Sequence, residues 1–199
     1  MINKIRTGLA ATFDSSIEKP DNEAAVLIAI TDDPSDPAMV LTRRASHMNS
    51  HAGEVAFPGG KVDATDRDLV VTALRESFEE IGLAQNKVDV VGALSASTSK
   101  FGLQVRPIVG IIPADIELVG SEDELDSIFH VPLRFFFENE PAVDYEVRFN
   151  DVDYVVPCYR YEGYVIWGLT AYFIGDFLNQ VFDLDVDLSM TRGQFKKKS

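Results

Sequence analysis

Three glutamates, Glu76, Glu79 and Glu80, stand within the run R-E-S-F-E-E-I-G-L from Arg75 to Leu83. At about 100° per residue on a helix they fall within an arc of roughly 100°. Oxygen-only donors of this kind suit a hard divalent cation, Mg²⁺ or Mn²⁺, far better than zinc. The pattern costs the helix something. Glu76 and Glu80 are like charges four apart, and all three carboxylates sit toward the C-terminal end, where the macrodipole prefers cations. A bound cation would offset both penalties. A solvated acidic face is the plainer reading of three glutamates alone. Against it stands the F-P-G-G segment at Phe57 to Gly60, just upstream. There Pro58 fixes φ and Gly59 and Gly60 permit positive φ, so the backbone can turn sharply beside a ligand.

The elements that must hold these residues follow from pattern. A helix is expected from about residue 66 to 81, with Asp66 as N-cap and Gly82 as the C′ residue that ends it. Val71, Leu74, Phe78 and Ile81 form its expected buried stripe, and Thr72 and Ala73 share the carboxylate face and leave room above it. Residues 23–31, E-A-A-V-L-I-A-I-T, read as a central strand and residues 38–43 as its hairpin partner. Residues 54–57 give a short strand that ends in the Pro58-Gly59-Gly60 turn. Residues 88–98 and 103–113 read as strands around a turn at Gly102, and 145–149 and 154–161 as two more. Leu125, Ile128, Phe129, Val131 and Leu133 suggest short helical pieces, and residues 164–182 a C-terminal helix. Residues 1–22 read as a short helix and a polar linker, and residues 192–199 as a disordered basic tail. The order predicts an α/β fold in which a mixed sheet lies between helical layers, as a single domain of 199 residues.

Composition narrows the partners. A net charge of −14 argues against a nucleic-acid binder, though local arginines and a metal can invert the field inside one cleft. Cys158 is the one cysteine, so no intrachain disulfide is possible, and a reducing cytoplasm is expected. No apolar stretch after the first basic residues suggests a signal peptide, and the apolar run at 165–175 is too short to span a bilayer, so no membrane partner is expected. His47 and His51 read as loop histidines, and His130 as packed or exposed. A homodimer stays open.

The segment closely resembles the Nudix box, in which a glycine and a spaced acidic residue lead into R-E-U-x-E-E-x-G-U, with U a bulky aliphatic. Arg75, Glu76, Glu79, Glu80, Gly82 and Leu83 match its second half. Ser77 stands where an aliphatic residue is preferred. The first-half acidic position, counted strictly, holds Arg67, and a one-residue insertion brings Asp66 into that role. The upstream residues resemble a narrower group, the coenzyme A pyrophosphatases, in V-L-T-R-R-A at Val40 to Ala45 and G-E-V-A-F-P-G-G at Gly53 to Gly60. Asn49 replaces an arginine of that signature.

The resemblance implies a Nudix-type α/β/α sandwich and metal-dependent hydrolysis of a compound X–P–P–Y, with a small-molecule nucleotide as substrate. It makes Glu79 and Glu80 the foremost ligands of Mg²⁺ or Mn²⁺, then Glu76, with the carbonyl of Gly60. Glu124, chosen over Glu122, or alternatively Glu80, would act as base. Arg75 would brace the loop through Asp66 or Asp63, unless it merely pairs with Glu79. Arg43, Arg44, Phe57 and Gly59 would meet substrate, and Lys61, Lys100 and Arg106 are the other basic residues near the motif. Three functions are thereby open: a coenzyme A or acyl-coenzyme A pyrophosphatase, the same chemistry on ADP-ribose, dinucleotides or nucleoside triphosphates, and a nucleotide-binding module without turnover.

Overall fold

The run E-A-A-V-L-I-A-I-T is apolar on both faces because both are covered. The computed structural model describes residues 1–10, 23–48, 51–99, 102–149, 152–188 and 196–197. Strand β1 (Glu23–Thr31) lies inside a mixed sheet, antiparallel to β2 (Ala38–Arg44) and to β4 (Gly59–Lys61), and parallel to β7 (Gln104–Ile112). β8 (Leu125–Pro132) runs along the far edge of β2, β3 (Val55–Ala56) pairs with Thr42 and Arg43 on the edge that β1 also uses, and β5 (Asp89–Ala93) and β6 (Ser97–Thr98) pair with β7.

Alternation sends Ile28, Ile30, Met39, Leu41, Val109 and Ile111 to one face. There they pack on α1 (Ile2–Ala10) and on Phe173 and Phe177 of α4 (Gly168–Phe182). Leu27, Ala29, Val40, Ile108 and Ile112 go to the other face, against Leu69, Ala73 and Ile81 of α2 (Leu69–Ile81). Each large side chain fully buried this way contributes roughly 1.5–3 kcal/mol. Beyond β8 come α3 (Leu133–Glu138) and a second sheet of β9 (Ala142–Phe149), β10 (Val152–Tyr161), β11 (Tyr164–Trp167) and β12 (Lys196–Lys197). The expected α/β sandwich with a mixed sheet is present.

Four expectations are corrected. The stretch read as helical pieces is strand β8, held in register along β2 from Ala38↔Pro132 to Arg44↔Leu125, and only α3 after it is helical. Its β-branched and aromatic residues suit a pleated surface, and that preference outweighs their rough helical spacing. Gly59 and Gly60 form β4 rather than a turn alone, because β1 offers them a free edge opposite Val26 and Ala25. Tyr164–Trp167 is strand β11, not helix, because Glu162 and Gly163 both take positive φ (48° and 87°) and close a two-residue hairpin. In the tail, Lys196 and Lys197 pair with Val155 and Tyr154 rather than standing free. The polar linker, Asn49 and Lys100 lie outside the described residues. Among the described residues no helix is long and apolar enough to cross a membrane.

Candidate active site

Helix α2 begins two residues later than expected, with its N-cap at Asp68 instead of Asp66. Asp68 accepts from Val71 N at 2.8 Å, which frees the Asp66 carboxylate for another task. The helix ends as expected at Gly82, whose φ of 67° lets Gly82 N and Leu83 N reach the carbonyls of Phe78 and Ser77. Its buried side matches the expected stripe at Ile81, with Leu74 partly buried, but not at Phe78. Leu69, Thr72, Ala73, Ser77, Glu80 and Ile81 are buried, and Phe78 is 55% exposed. The small residues let the helix lie close against β1 and β4. Ser77 answers its hydroxyl locally by donating to Ala73 O at 2.7 Å, which explains how a polar residue fills an aliphatic position. Glu80 and Glu76 therefore lie against the sheet, and Glu79 stays exposed.

Arg75 binds the preceding loop to the helix. Its Nε and Nη2 donate to Oδ1 and Oδ2 of Asp66 at 3.0 and 2.9 Å, and Nη2 also reaches Lys61 O at 3.0 Å. Thr72 Oγ1 and Asp63 N donate to Oδ2 as well, both at 2.9 Å. The Arg75 hydrogen bonds, despite burial, hold the Asp66 carboxyl down at about 2, and the same pair keeps the Arg75 guanidinium charged. Asp63 does not take this place; it caps its own turn by accepting from Thr65 N and Oγ1. Thr72 was not legible as a partner, since its role depends on where the loop folds back. Arg75 Nη1 also contacts Glu76 at 2.9 Å and Glu79 at 3.0 Å.

Glu80 sits in a poorer setting. Gly59 N donates to its Oε2 at 3.0 Å, and Arg44 Nη1 stands 3.6 Å from Oε1, too far for a hydrogen bond. Burial pushes its pKa up to about 7, with further contributions from Glu124 and Glu76, although Gly59 and Arg44 pull the other way. Burial also raises Glu76, whose carboxylate lies against β4 so closely that a Cβ on Gly60 would stand 2.4 Å from Glu76 Cδ. A Cβ on Gly59 would meet Ala25 O at 2.3 Å. Gly59 is therefore required by close approach to backbone, whereas a side chain at Gly60 would displace the end of Glu76. Glu124 arrives through backbone capping: Val119 N and Ser121 N satisfy the carbonyls of Ile81 and Glu80, Glu124 N returns to Ser121 O, and Ala45 N donates to Glu124 O. This loop closes the C-terminal end of α2 and sets a fourth carboxylate near Glu76 and Glu80.

The donor set has the chemistry a divalent cation needs, and the mutual repulsion of Glu76, Glu80 and Glu124 shows a concentration of negative charge that a cation would relieve. With the rotamers present, no group of three among the described residues is gathered tightly enough to hold an ion. Glu79 is exposed and turned onto Arg75. The fit is thus one of donor type and placement, and Glu79 would have to leave Arg75 to join such a set.

The other expected residues divide. Arg44 shares the α2 face with Glu80. Arg43, next in the strand, faces the opposite side, where it pairs with Asp126 at 3.3 Å, lies 5.7 Å over the Tyr164 ring, and lines a cavity of about 330 Å³ with Tyr145 and Trp167. Phe57 is buried in the core on that same opposite side. His47 Nε2 donates to Asp123 O at 3.0 Å, and His51 pairs with Glu54 at 2.5 Å, so neither joins the carboxylates.

The sequence matches the NUDIX domain over residues 21–147. The chain belongs to the Nudix hydrolase family. It is 38% identical over 182 residues to the uncharacterized Nudix hydrolase NudL of Yersinia pestis (strain Pestoides F), covering 85% of this chain and 91% of that protein, and equally to NudL of Yersinia pseudotuberculosis serotype O:1b. The fold resembles the crystal structure of a MutT/nudix family protein from Enterococcus faecalis, with a TM-score of 0.51 at 15% identity over 87% of this chain and 67% of the other. As a family the Nudix hydrolases are pyrophosphohydrolases, use divalent ions such as Mg²⁺ or Mn²⁺, and act on small molecules. This Nudix chain accordingly hydrolyses a nucleoside diphosphate derivative.

Proposed function

We propose that this Nudix hydrolase cleaves the diphosphate of coenzyme A or acyl-coenzyme A, in the cytoplasm, to 4′-phosphopantetheine or its acyl form and adenosine 3′,5′-bisphosphate. One observation carries the reading: Arg44, the arginine of the V-L-T-R-R-A run, projects onto the carboxylate face within 3.6 Å of Glu80. A guanidinium there can turn from Glu80 to a phosphate oxygen, which it binds in forked geometry.

Mg²⁺ or Mn²⁺ held by Glu76, Glu79 and Glu80, with the Gly60 carbonyl, would supply charge neutralisation on the diphosphate. The chain's own groups do the rest. Gly59 N fixes Glu80, Arg75 and Asp66 fix the loop that carries β4, and Arg44 orients a phosphate. Glu124 takes the proton of the attacking water, with Glu80 the alternative, since a base with a pKa of about 7 is matched to neutral pH.

A second reading, the same hydrolysis on ADP-ribose, a dinucleotide or a nucleoside triphosphate, is favoured by Asn49 in place of the signature arginine. A binding module without turnover is disfavoured, because nothing in such a role requires Glu80 to be buried without a full counter-charge. Rates with Mg²⁺ on coenzyme A, dephospho-coenzyme A, ADP-ribose and nucleoside triphosphates decide among them. Preference for coenzyme A supports the first reading, faster cleavage of another substrate supports the second, and binding without turnover supports the module.

A further inference from the structure

The acidic residues outnumber lysine and arginine by 32 to 18, so an arginine without an acidic partner is the exception in this chain. Arg6, Arg43, Arg44, Arg67, Arg75, Arg134, Arg148 and Arg160 all form ion pairs. Among the described residues Arg106 is the one arginine that forms none. It is half-buried, its Nη1 donates to Leu94 O at 3.2 Å, and its Nε is buried with no hydrogen-bond partner. A partly desolvated guanidinium with an unmet donor and no counter-charge is a net cost to the fold.

Its position gives that cost a purpose. Register places Gly60 opposite Ala25 on one side and Arg106 opposite Ala25 on the other, so the three stand in a row across β4, β1 and β7. Residues in register share a face. Ala25 belongs to the α2 side of the sheet, as do Ile108 and Ile112 further along β7, whereas Val105 and Val109 point away. Arg106 therefore projects onto the face that carries Glu76 and Glu80. Two interstrand spacings, roughly 10 Å, separate it from Gly60. That separation suits a second group of the same nucleotide rather than the diphosphate itself.

We propose that Arg106 is the anchor of an anion subsite that takes a phosphate monoester carried by the substrate, such as a 3′-phosphate on its ribose. It supplies the charge that Asn49 lacks and that Arg43, facing the other side of the sheet, does not bring to the carboxylates. The proposal rests on the coenzyme A reading for the identity of the phosphate, though not for the existence of the subsite.

The test pairs binding with turnover. Without metal, adenosine 3′,5′-bisphosphate should bind the unmodified protein more tightly than 5′-AMP by calorimetry. Arg106→Gln should weaken the bisphosphate at least tenfold and leave 5′-AMP within twofold, and Arg106→Lys should recover part of the loss. With Mg²⁺, Arg106→Gln should raise KM for coenzyme A and leave kcat, and both constants for dephospho-coenzyme A, nearly unchanged. Equal weakening of both nucleotides, or no preference for the bisphosphate in the unmodified protein, overturns the subsite. Retained bisphosphate preference without coenzyme A turnover supports the subsite and removes the coenzyme A reading instead. Circular dichroism and melting of Arg106→Gln establish that the variant folds; since it deletes an uncompensated charge, its Tm should not fall.

Discussion

Asp66 and Glu80 are both buried carboxylates beside an arginine, and their surroundings drive them in opposite directions. Asp66 receives two bonds from Arg75 and one each from Thr72 and Asp63, and its pKa drops to about 2. Glu80 receives one backbone bond and a distant guanidinium, faces Glu124 and Glu76, and rises to about 7. The difference lies in completeness: a buried charge with all its bonds made stabilises the fold, whereas one left short remains available for a ligand or a proton. The first carboxylate builds the site and the second is held ready within it.

The comparison breaks most visibly at the chemistry. Glu79→Gln and Glu80→Gln should each cost about 10²–10⁴ in kcat at limiting Mg²⁺ with the fold intact. Near-normal turnover in Glu80→Gln would sink the assignment of a working role to the strained carboxylate. Asp66→Asn comes next and should act on stability. Breaking a buried pair costs about 3 kcal/mol even at the low end, or a Tm lower by roughly 6–12 °C in a chain of this size. A melting point within 2 °C of the unmodified protein would show that Arg75 finds equivalent partners.

The pH dependence separates the two further. Asp66 has a depressed folded pKa, so its contribution is present above the ordinary carboxylate range and is lost as pH falls toward about 2. Glu80 has a raised folded pKa, so the native state binds the extra proton and stability declines as pH rises from about 4.5 to about 7. Glu80→Gln should therefore melt a few degrees higher than the unmodified protein at pH 8, with the gap closing near pH 4. A constant gap across that range would mean Glu80 is not the group responsible. The smallest effect is expected at Gly60→Ala. The added methyl displaces the flexible end of Glu76, so activity should fall about tenfold while Tm moves by less than 2 °C. Gly59→Ala, which strikes the backbone of Ala25 and Val26, should instead lower Tm sharply. Equal behaviour of the two variants would mean that Gly60 is held for its backbone and not for Glu76.

Much of this was legible in the order of residues. The span of β1, the hairpin to β2, the Gly82 cap and the acidic set Glu76, Glu79 and Glu80 follow from short-range pattern, because period, capping and turn chemistry are local. The resemblance to the family motif implied Asp66, through a one-residue insertion, or Asp63 as the partner of Arg75, and the observed pair is with Asp66. What local pattern could not decide was direction. Helical periodicity does not say which residues of α2 meet the sheet, and the sheet takes the small residues with Glu76 and Glu80 because Gly59 and Gly60 lie there without side chains. Adjacent residues in a strand look equivalent in sequence, yet pleating sends Arg44 to the carboxylates and Arg43 to the opposite face. Arg106, well beyond the end of the motif at Leu83, enters the same row as Gly60 only once β7 lies parallel to β1. Residue types thus determined which chemistry is possible, and strand register, a long-range property, decided which of them share a face.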